Sequence, residues 1–301
     1  MTAQGQRISV VMPVRDGEAF IAEAIGSALG QGEVVGEVLV VDDGSRDRTR
    51  EIVNEFNDPR VVLLDNEGGR GVSEARNRGL RQAGGNWVLF LDADDRLRPD
   101  SLSALLEGAE GHVAIYGDYE RIDGNGRRIG RRGLLRRRRE KPSGDILKRL
   151  MAGNFIVNGG VMLVDRRAFD GFDPTLRYCE DWHAWCRLAA RGSINYRRVH
   201  VLDYRVHGTS TMMARPHSLD NYLPALEKIF SDPEIRAAVP AAALVELRPR
   251  AVAHLQTYLI SQSARAHRYG DVLASLARTL VTEPGHFPRR LAVCSAAMAG
   301  I

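Results

Sequence analysis

The acidic cluster that follows the apolar run Trp87–Leu91 has the residue types and spacing of a metal or phosphate site. Asp92, Asp94 and Asp95 come directly after this run, which is typical of a strand buried on both faces of a parallel sheet. In open α/β sheets, ligands bind outside the carboxyl ends of the strands. Carboxylates grouped there repel one another unless a cation shares the site, and Mg²⁺ or Mn²⁺ is the natural candidate. The pattern therefore predicts a divalent metal that holds a phosphorylated substrate.

Acidic residues also follow two earlier predicted strands. Asp16 lies just after the first of them, and Asp43 ends the second. Because the carboxyl ends of parallel strands face the same side of a sheet, we expect these residues to converge with Asp92 on one ligand. Asp43 could accept a hydrogen bond from a base N–H, and Asp92 could accept one from a ribose hydroxyl or bind the metal. A single aspartate more often caps a helix or forms a turn, as predicted for Asp47, but three clusters in order favour a shared site.

Two further positions could take part in chemistry. Glu180 and Asp181 begin a predicted amphipathic helix, whose dipole favours a carboxylate in the first turn and lowers its pKa. They are either ordinary helix-start acids or the source of a general base, which must be ionised and must reach an acceptor hydroxyl. His207, which follows a predicted strand, is either structural or completes a metal site with Asp92 and Asp94.

The glycine-rich segment Gly69–Gly71 precedes a predicted helix and resembles part of a dinucleotide-binding loop. Glu74 occupies the position where that loop would need its third glycine, so a hydride-transfer enzyme is a weak alternative. The segment is better explained as a turn next to a phosphate. Arg76, on the helix that follows, is then a candidate contact for a phosphate or a base.

The elements that must position these residues alternate between strand and helix patterns in the first half of the chain. This alternation predicts an α/β fold with a Rossmann-like, mostly parallel central sheet flanked by helices. The predicted strands are Ile8–Val14, Glu37–Asp43, Val61–Asp65, Trp87–Leu91, His112–Glu120, Val161–Asp165 and one or two within Ile194–His207. Predicted helices occupy Glu18–Leu29, a segment starting near Asp47, Val72–Ala83, a segment that Pro99 begins, Ile146–Met151 and Glu180–Arg191. Helical periodicity from about His217 predicts a helical C-terminal appendage, with the domain boundary between residues 215 and 216.

Composition and charge exclude several classes of protein. The 301 residues carry a formal net charge of only +4 and 44% hydrophobic residues, so we expect a soluble globular protein that does not bind nucleic acid. The segment Arg127–Lys141 holds nine basic residues and one acid. It is either a solvated loop or a patch that attracts an anionic acceptor or the headgroups of a membrane.

The cysteines and the hydrophobic runs bear on localisation. Cys179, Cys186 and Cys294 form no CxxC pair, and their odd number argues against a disulfide framework. Reduced thiols, the absence of a signal-peptide pattern and the absence of a 20-residue apolar run predict a cytoplasmic protein. Peripheral contact with the inner face of the plasma membrane and formation of a homodimer are further expectations for the C-terminal helices.

Taken together, several segments resemble family 2 glycosyltransferases with the GT-A fold. They are ISVVMPVRDGEAFIAEAIGSAL, VDDGSRDRT, GVSEARNRGL, LDADD, the Glu180-Asp181 pair and YRVHGTS, and they span roughly Arg7 to Ser210 in the family's order. The resemblance implies transfer of a sugar from a nucleotide donor, usually a UDP-sugar, with inversion at the anomeric carbon. It also implies a glycan or lipid-linked acceptor and a role in the synthesis of cell-surface polysaccharide or glycoconjugate.

The resemblance also implies roles for individual residues. Asp181 matches the catalytic base that deprotonates the acceptor hydroxyl, and His207 matches a position that contacts the metal or diphosphate in some members. The matched nucleotide contacts are Pro13, Val14, Asp43, Arg76 and Asp92, and the matched metal ligands are Asp92, Asp94 and His207. Asp16 is a further candidate nucleotide contact from its position after the first strand.

One departure from the family pattern concerns the base. Where the family commonly has an aromatic residue and Asn after Pro-Val, this chain has Arg15 and Asp16. A guanidinium plane can stack on a base, but the substitution leaves the identity of the base open. Two alternatives also stay open. A nucleotidyltransferase would leave Asp181 without a task, and a non-catalytic nucleotide-sugar-binding protein would be expected to have degenerate acidic positions.

Overall fold

A mixed sheet organises the part of the chain that the computed structural model describes, residues 7–67, 69–129, 140–156, 158–208, 218–282 and 284–298. The strands are β1 (Ile8–Val14), β2 (Val35–Asp42), β3 (Val61–Asp65), β4 (Trp87–Phe90), β5 (Arg96–Leu97), β6 (Ala114–Ile122), β7 (Met162–Asp165) and β8 (Ile194–Arg205). The helices are α1 (Ile21–Leu29), α2 (Thr49–Asn54), α3 (Val72–Gln82), α4 (Ser101–Leu106), α5 (Leu147–Ala152), α6 (Glu180–Arg191), α7 (Leu223–Ser231), α8 (Pro233–Ala238), α9 (Ala241–Arg265), α10 (Tyr269–Thr282) and α11 (Phe287–Met298).

One half of the sheet is parallel, in the order β3-β2-β1-β4. Every residue of β1 and β4 is buried, which is why both strands read as continuous apolar runs rather than as alternating ones. Helix α1 buries Ile21, Ala24, Ile25 and Ala28, the helical spacing that predicted it. The parallel half thus brings the ends of β1, β2 and β4 to one edge of the sheet.

The other half of the sheet is mixed, and it continues the order as β4-β7-β6-β8-β5. Strand β7 runs antiparallel to both β4 and β6, while β6 and β8 are parallel. The two-residue strand β5 pairs with β8 at the edge, so the acidic turn at residues 91–95 connects the middle of the sheet to its rim. That turn is therefore held at both ends.

Some predicted boundaries differ from the observed ones. The strand predicted at His112–Glu120 is β6, two residues further along, and the alternating segment from Ile194 forms the single strand β8. Asp47 precedes α2 and accepts hydrogen bonds from the N–H groups of Thr49 and Glu18, which confirms its predicted turn role. Of the basic segment, residues 130–139 lie outside the described part of the chain.

The C-terminal helices contribute to two hydrophobic cores. Tyr222, Leu226 and Leu255, from the region of α7 to α9, pack into the same core as the sheet. The end of α9, α10 and α11 form a second, smaller cluster that includes Ile260 and Cys294. The helical C-terminal region is as predicted, whereas the division at residue 215 stays a prediction. No helix in the described ranges is long and apolar enough to cross a lipid bilayer.

The packing of α3 on β1 depends on a glycine. A Cβ atom added at Gly79 would lie 2.3 Å from Cγ1 of Val11, a buried, branched side chain. We expect Gly79→Ala to lower the free energy of unfolding by about 1–3 kcal/mol, because overpacking forces strand and helix apart. Urea denaturation followed by circular dichroism measures this change.

Gly26 in α1 provides the matched control, since an added Cβ there meets no atom within 4 Å. We expect Gly26→Ala to be neutral or to stabilise by about 0.5–1 kcal/mol through helix propensity alone. If Gly79→Ala were as stable as Gly26→Ala, the proposed tight contact between α3 and β1 would be wrong.

Candidate active site

The loops that follow β1 and β2 are joined by hydrogen bonds at the carboxyl edge of the sheet. The N–H of Asp16 donates to the Ser45 hydroxyl at 2.9 Å, and the Asp16 carboxylate accepts from the Arg46 N–H at 2.7 Å. Gly17 N–H donates to the Thr49 hydroxyl at 2.8 Å. Asp16 adopts a left-handed conformation (φ 53°), which aspartate tolerates better than most residues. Its exposed carboxylate therefore holds two loops together at the rim of the site.

Asp43 is buried beneath the glycine-rich turn. Its two carboxylate oxygens lie 3.1 Å from the Gly71 N–H, and the Asn66 side-chain amide also donates to it. The Asp43 N–H donates to the carbonyl of Val14, which with Pro13 ends the buried strand β1. The predicted nucleotide contacts Pro13, Val14 and Asp43 are thus assembled at one place. The amide partner, Asn66, gave no signal in the sequence.

The acidic turn after β4 divides its carboxylates between two roles. Asp95 is buried and accepts hydrogen bonds from the Asn158 amide at 3.0 Å and from the Arg205 N–H at 2.7 Å. Burial raises its pKa well above the ordinary value, and the charges of Asp94 and Asp92 raise it further. Asp95 therefore anchors the turn, while Asp92 and Asp94 keep partly exposed side chains.

His207 lies next to Asp94, as the sequence predicted. Its Nε2 atom is 2.9 Å from Oδ2 of Asp94, and its ring packs against Phe20 with centroids 4.9 Å apart. Burial raises the pKa of Asp94, as does the charge of Asp92, whereas the contact with His207 lowers it. Two carboxylates and an imidazole thus share this end of the sheet.

Arg205 fixes the backbone of the acidic turn and was missed by the sequence analysis. Its buried guanidinium donates from Nε to the Asp94 carbonyl at 2.7 Å and lies over the Phe20 ring at 4.6 Å. It also forms an ion pair with Glu23 of α1. The signal available in the sequence was a charged residue at the end of a strand that is otherwise half-buried. An arginine that is buried at such a place is almost always paired with acidic or carbonyl groups.

Glu180 and Asp181 occupy the first turn of α6, which begins after a strained residue. Cys179 has a left-handed backbone (φ 57°), a conformation that costs about 1–3 kcal/mol for most non-glycine residues and recurs at functional sites. The Asp181 carboxylate accepts from the Trp182 N–H at 2.7 Å and lies 3.4 Å from the Asn154 amide. Asn154 is a second residue that the sequence did not single out.

Arg76 connects this helix to the acidic turn. One terminal nitrogen of its buried guanidinium lies 2.8 Å from Asp92, and the other lies 3.0 Å from Glu180. Burial lowers the pKa of Arg76, but the charges of Asp92 and Glu180 outweigh burial, so the net shift is upward and the group stays charged. The structure therefore brings Asp92, Arg76 and Asp181 together, and Asp94 and His207 lie beside Asp92.

The pKa of Asp181 differs from the prediction based on the helix dipole alone. Burial raises it to about 7, and the neighbouring charge of Glu180 acts in the same direction, while Arg76 lowers it. The expectation of a lowered pKa was wrong because desolvation and a like charge outweigh the dipole. A carboxylate with a pKa near 7 is well suited to accept a proton at neutral pH.

Asp92, Asp94 and His207 have the donor chemistry for Mg²⁺ or Mn²⁺. Within the described ranges, no group of three or more His, Cys, Asp and Glu side chains is arranged closely enough to hold a metal alone. Mg²⁺ in nucleotide sites usually takes only one or two carboxylates and completes its coordination with water and substrate phosphates. A pair of partly exposed carboxylates fits that kind of site.

The family of the chain follows from a model that matches residues 9–172, more than half of the sequence, and is described as glycosyl transferase family 2. The protein belongs to this family. The matched residues include the ends of β1, β2 and β4 and stop just before α6. The GT-A fold expected from the sequence is confirmed.

Curated relatives carry names from polysaccharide synthesis. The chain is 38% identical over 120 residues to the UDP-Glc:alpha-D-GlcNAc-diphosphoundecaprenol beta-1,3-glucosyltransferase WfgD of Escherichia coli, which covers 39% of this chain and 47% of WfgD. It is 42% identical over 103 residues to the succinoglycan biosynthesis protein ExoO of Rhizobium meliloti, covering 34% of this chain and 30% of ExoO. The matches thus span less than half the length of these relatives.

Solved structures show the same fold at low identity. The S. aureus protein TarS, residues 1–349 in complex with UDP-GlcNAc, superposes with a TM-score of 0.66 at 18% identity, covering 98% of this chain and 89% of TarS 1–349. GalNAc-T7 with UDP, GalNAc and Mn²⁺ superposes with a TM-score of 0.56 at 16% identity, covering 81% of this chain and 54% of GalNAc-T7. The roles of the individual site residues, membrane contact and homodimer formation stay predictions.

The raised pKa of Asp181 makes stability depend on pH. The carboxyl group of an unfolded aspartate has a pKa of about 3.9. Between that pH and about 7, Asp181 therefore holds a proton in the folded protein that it has lost in the unfolded chain. The free energy of unfolding therefore falls as pH rises through this window. We expect Asp181→Asn, which cannot titrate, to be more stable than the parent above about pH 7, with a gain that shrinks toward pH 4.

Urea denaturation between about pH 4 and pH 8 measures the gain in the free energy of unfolding. Asp58→Asn is a control for which we expect a change of the opposite sign. The hydrogen bond from Arg60 lowers the pKa of Asp58 to about 2, so this carboxylate stabilises the fold above the unfolded pKa and loses its effect as pH falls. Asp58→Asn should therefore be destabilised at neutral pH. A pH-independent difference between Asp181→Asn and the parent would contradict the raised pKa.

Proposed function

We propose that this protein is a metal-dependent, inverting glycosyltransferase that moves a sugar from a nucleotide-sugar donor to an acceptor hydroxyl. The observation that carries the proposal is the single cluster formed by Asp92, Asp94 and Asp181, in which Arg76 and Glu180 connect the two ends. Membership of glycosyl transferase family 2 supports the reaction class. The raised pKa of the buried Asp181 carboxylate supports a role for it as a proton acceptor at neutral pH.

The donor that we propose is a UDP-sugar. Pro13, Val14, Asp16, Asp43 and Arg76 surround the carboxyl edge where a nucleotide would lie in an open α/β sheet. TarS and GalNAc-T7 were solved with UDP compounds, and WfgD is named for a UDP-glucose donor. The buried Asp43 is the natural acceptor for a base N–H in this arrangement.

In the proposed reaction, Asp181 acts as the general base. Its carboxylate takes the proton from the acceptor hydroxyl, whose oxygen forms a bond to the anomeric carbon. The bond from that carbon to the diphosphate breaks at the same time, and the electron pair leaves with the nucleoside diphosphate, which inverts the configuration. Asp92 and Asp94, with His207, would hold the divalent cation, which neutralises charge on the leaving diphosphate when it is bound.

The acceptor that we propose is a hydroxyl of a growing glycan, carried on a lipid diphosphate or on the polysaccharide itself. WfgD is named for a diphosphoundecaprenol-linked acceptor, and ExoO is named for succinoglycan biosynthesis. A nucleotidyltransferase would consume a nucleoside triphosphate and release pyrophosphate. A catalytically silent binder would neither transfer sugar nor release pyrophosphate, so a transfer assay with radiolabelled nucleotide sugar and a pyrophosphate-release assay with nucleoside triphosphates together separate all three.

Asp181→Asn tests the base directly. We expect it to lower turnover by about 10²–10⁴-fold because no proton acceptor remains, while donor affinity changes little. Steady-state transfer and calorimetric titration with UDP measure the two quantities, and Asp58→Asn at the surface is the control that should retain full turnover. Unchanged turnover in Asp181→Asn would remove Asp181 from the role of base.

Removal of divalent cations tests the metal. We expect transfer to stop in excess EDTA and to return when Mn²⁺ or Mg²⁺ is added, because the acidic edge cannot hold a diphosphate without a cation. Asp94→Asn should raise the Mn²⁺ concentration needed for half-maximal activity, since it removes one carboxylate ligand. Full activity of the parent protein in chelator would overturn the metal dependence.

A further inference from the structure

A chain of opposite charges, in which Arg76 and Glu180 are largely buried, joins the end of β4 to the helix that carries Asp181. Asp92, at the end of β4, contacts Arg76 on α3, and Arg76 contacts Glu180 in the first turn of α6. Only 9% of the Arg76 side chain and 16% of the Glu180 side chain are exposed. Arg76 and Glu180 are 104 residues apart in the sequence, so this contact connects two segments that are distant along the chain.

The geometry of Arg76 suits it for holding two carboxylates at a fixed separation. A guanidinium is a planar, rigid fork, and here each terminal nitrogen faces a different carboxylate. The Phe172 ring lies 5.3 Å from the guanidinium carbon and supports its plane. Removal of one partner would leave a buried charge, so the arrangement is expected to be rigid.

Asp181 itself has few direct restraints. Its carboxylate accepts from the N–H of the next residue, Trp182, and lies 3.4 Å from the Asn154 amide, which is a long hydrogen bond. Its place therefore depends on the first turn of α6. That turn follows the left-handed residue Cys179, and the ion pair to Glu180 connects it to the rest of the site.

We propose that Arg76 and Glu180 are positioning residues that hold the Asp181 carboxylate in place relative to Asp92. This role rests on the proposed glycosyl transfer, in which Asp92 faces the donor and Asp181 faces the acceptor. The ion pair then fixes the distance between the two substrates' reacting groups. Misplacement of a catalytic group by about 1 Å can lower the rate by roughly 10²-fold.

The same two residues act on the proton affinity of Asp181 in opposite directions. Glu180 raises the pKa of Asp181, next to the larger effect of burial, and Arg76 lowers it. The other titratable groups that act on Asp181 or feel its charge are Asp92 at the end of β4, Cys179 just before α6, Cys186 on α6 and Tyr258 on α9. A change at Glu180 should therefore appear in the pH profile as well as in the rate.

The test compares Glu180→Gln and Arg76→Lys in steady-state sugar transfer as a function of pH. In Glu180→Gln we expect kcat to fall by about 10-fold or more with donor KM nearly unchanged, and the acid limb of the kcat profile to move to lower pH. In Arg76→Lys the charge remains but the fork is lost, so kcat should fall about 10–100-fold while the acid limb stays in place.

Glu74→Gln and Arg81→Lys are matched controls, because these residues form a 2.8 Å ion pair with each other on the same helix, α3, that includes none of Arg76, Asp92 and Glu180. They should leave kcat, KM and the pH profile unchanged, and circular dichroism should show all four variants folded. An unchanged kcat and acid limb in Glu180→Gln would overturn the proposal. A rise in donor KM alone in Arg76→Lys would overturn it for Arg76 and identify a nucleotide contact.

The proposed function fails in a different way. If the parent protein transferred no sugar from any nucleotide-sugar donor with Mn²⁺ or Mg²⁺ present, glycosyl transfer itself would be excluded, and with it the positioning role. If the parent protein transfers sugar and Glu180→Gln behaves like the parent, the function stands and only the positioning role is lost.

Discussion

Repulsion between carboxylates at the carboxyl edge of the sheet is the constraint on which the arrangement of this site depends. Asp92, Asp94, Asp95, Glu180 and Asp181 are gathered there from two distant parts of the chain. Like charges in a partly desolvated site raise one another's pKa and favour protonation or separation. Two buried arginines counter this repulsion. Arg76 pairs with Asp92 and Glu180, and Arg205 binds the backbone of Asp94.

The two arginines also divide the carboxylates into structural and chemical groups. Asp95 is held by Asn158 and by the backbone of Arg205, so it serves as the anchor of the turn. Asp181 has no arginine in direct hydrogen-bond contact in the described part of the chain and keeps a pKa of about 7. The site thus contains two kinds of charged group. The ion pairs of Arg76 make the site rigid, and the Asp181 carboxylate can exchange a proton near neutral pH.

The sequence predicted the parts of the site that depend on strand ends. Asp43 and Asp92 follow apolar runs, and the rule that parallel strands end at one edge was sufficient to place both at the same edge of the sheet. That rule does not predict contacts between segments that are distant in the sequence. No local pattern indicates that Arg76 pairs with Glu180, since the pairing depends on how α6 packs after a mixed set of strands. The pKa of Asp181 was mispredicted for the same reason, because burial and the charge of Glu180 belong to the tertiary structure.

Under the proposed function, the charge balance of the site favours binding of the nucleotide-sugar donor together with a cation. A diphosphate brings further negative charge to an edge that already holds Asp92, Asp94 and Asp181. Arg76 carries a single positive charge and already faces two carboxylates, Asp92 and Glu180, so it leaves no surplus positive charge for a diphosphate. Arg205 is bound to the Asp94 carbonyl and to Glu23, and His207 is in contact with Asp94. Under the proposed function, a divalent ion held by Asp92 and Asp94 would supply the positive charge that the diphosphate needs without breaking the Arg76 ion pairs.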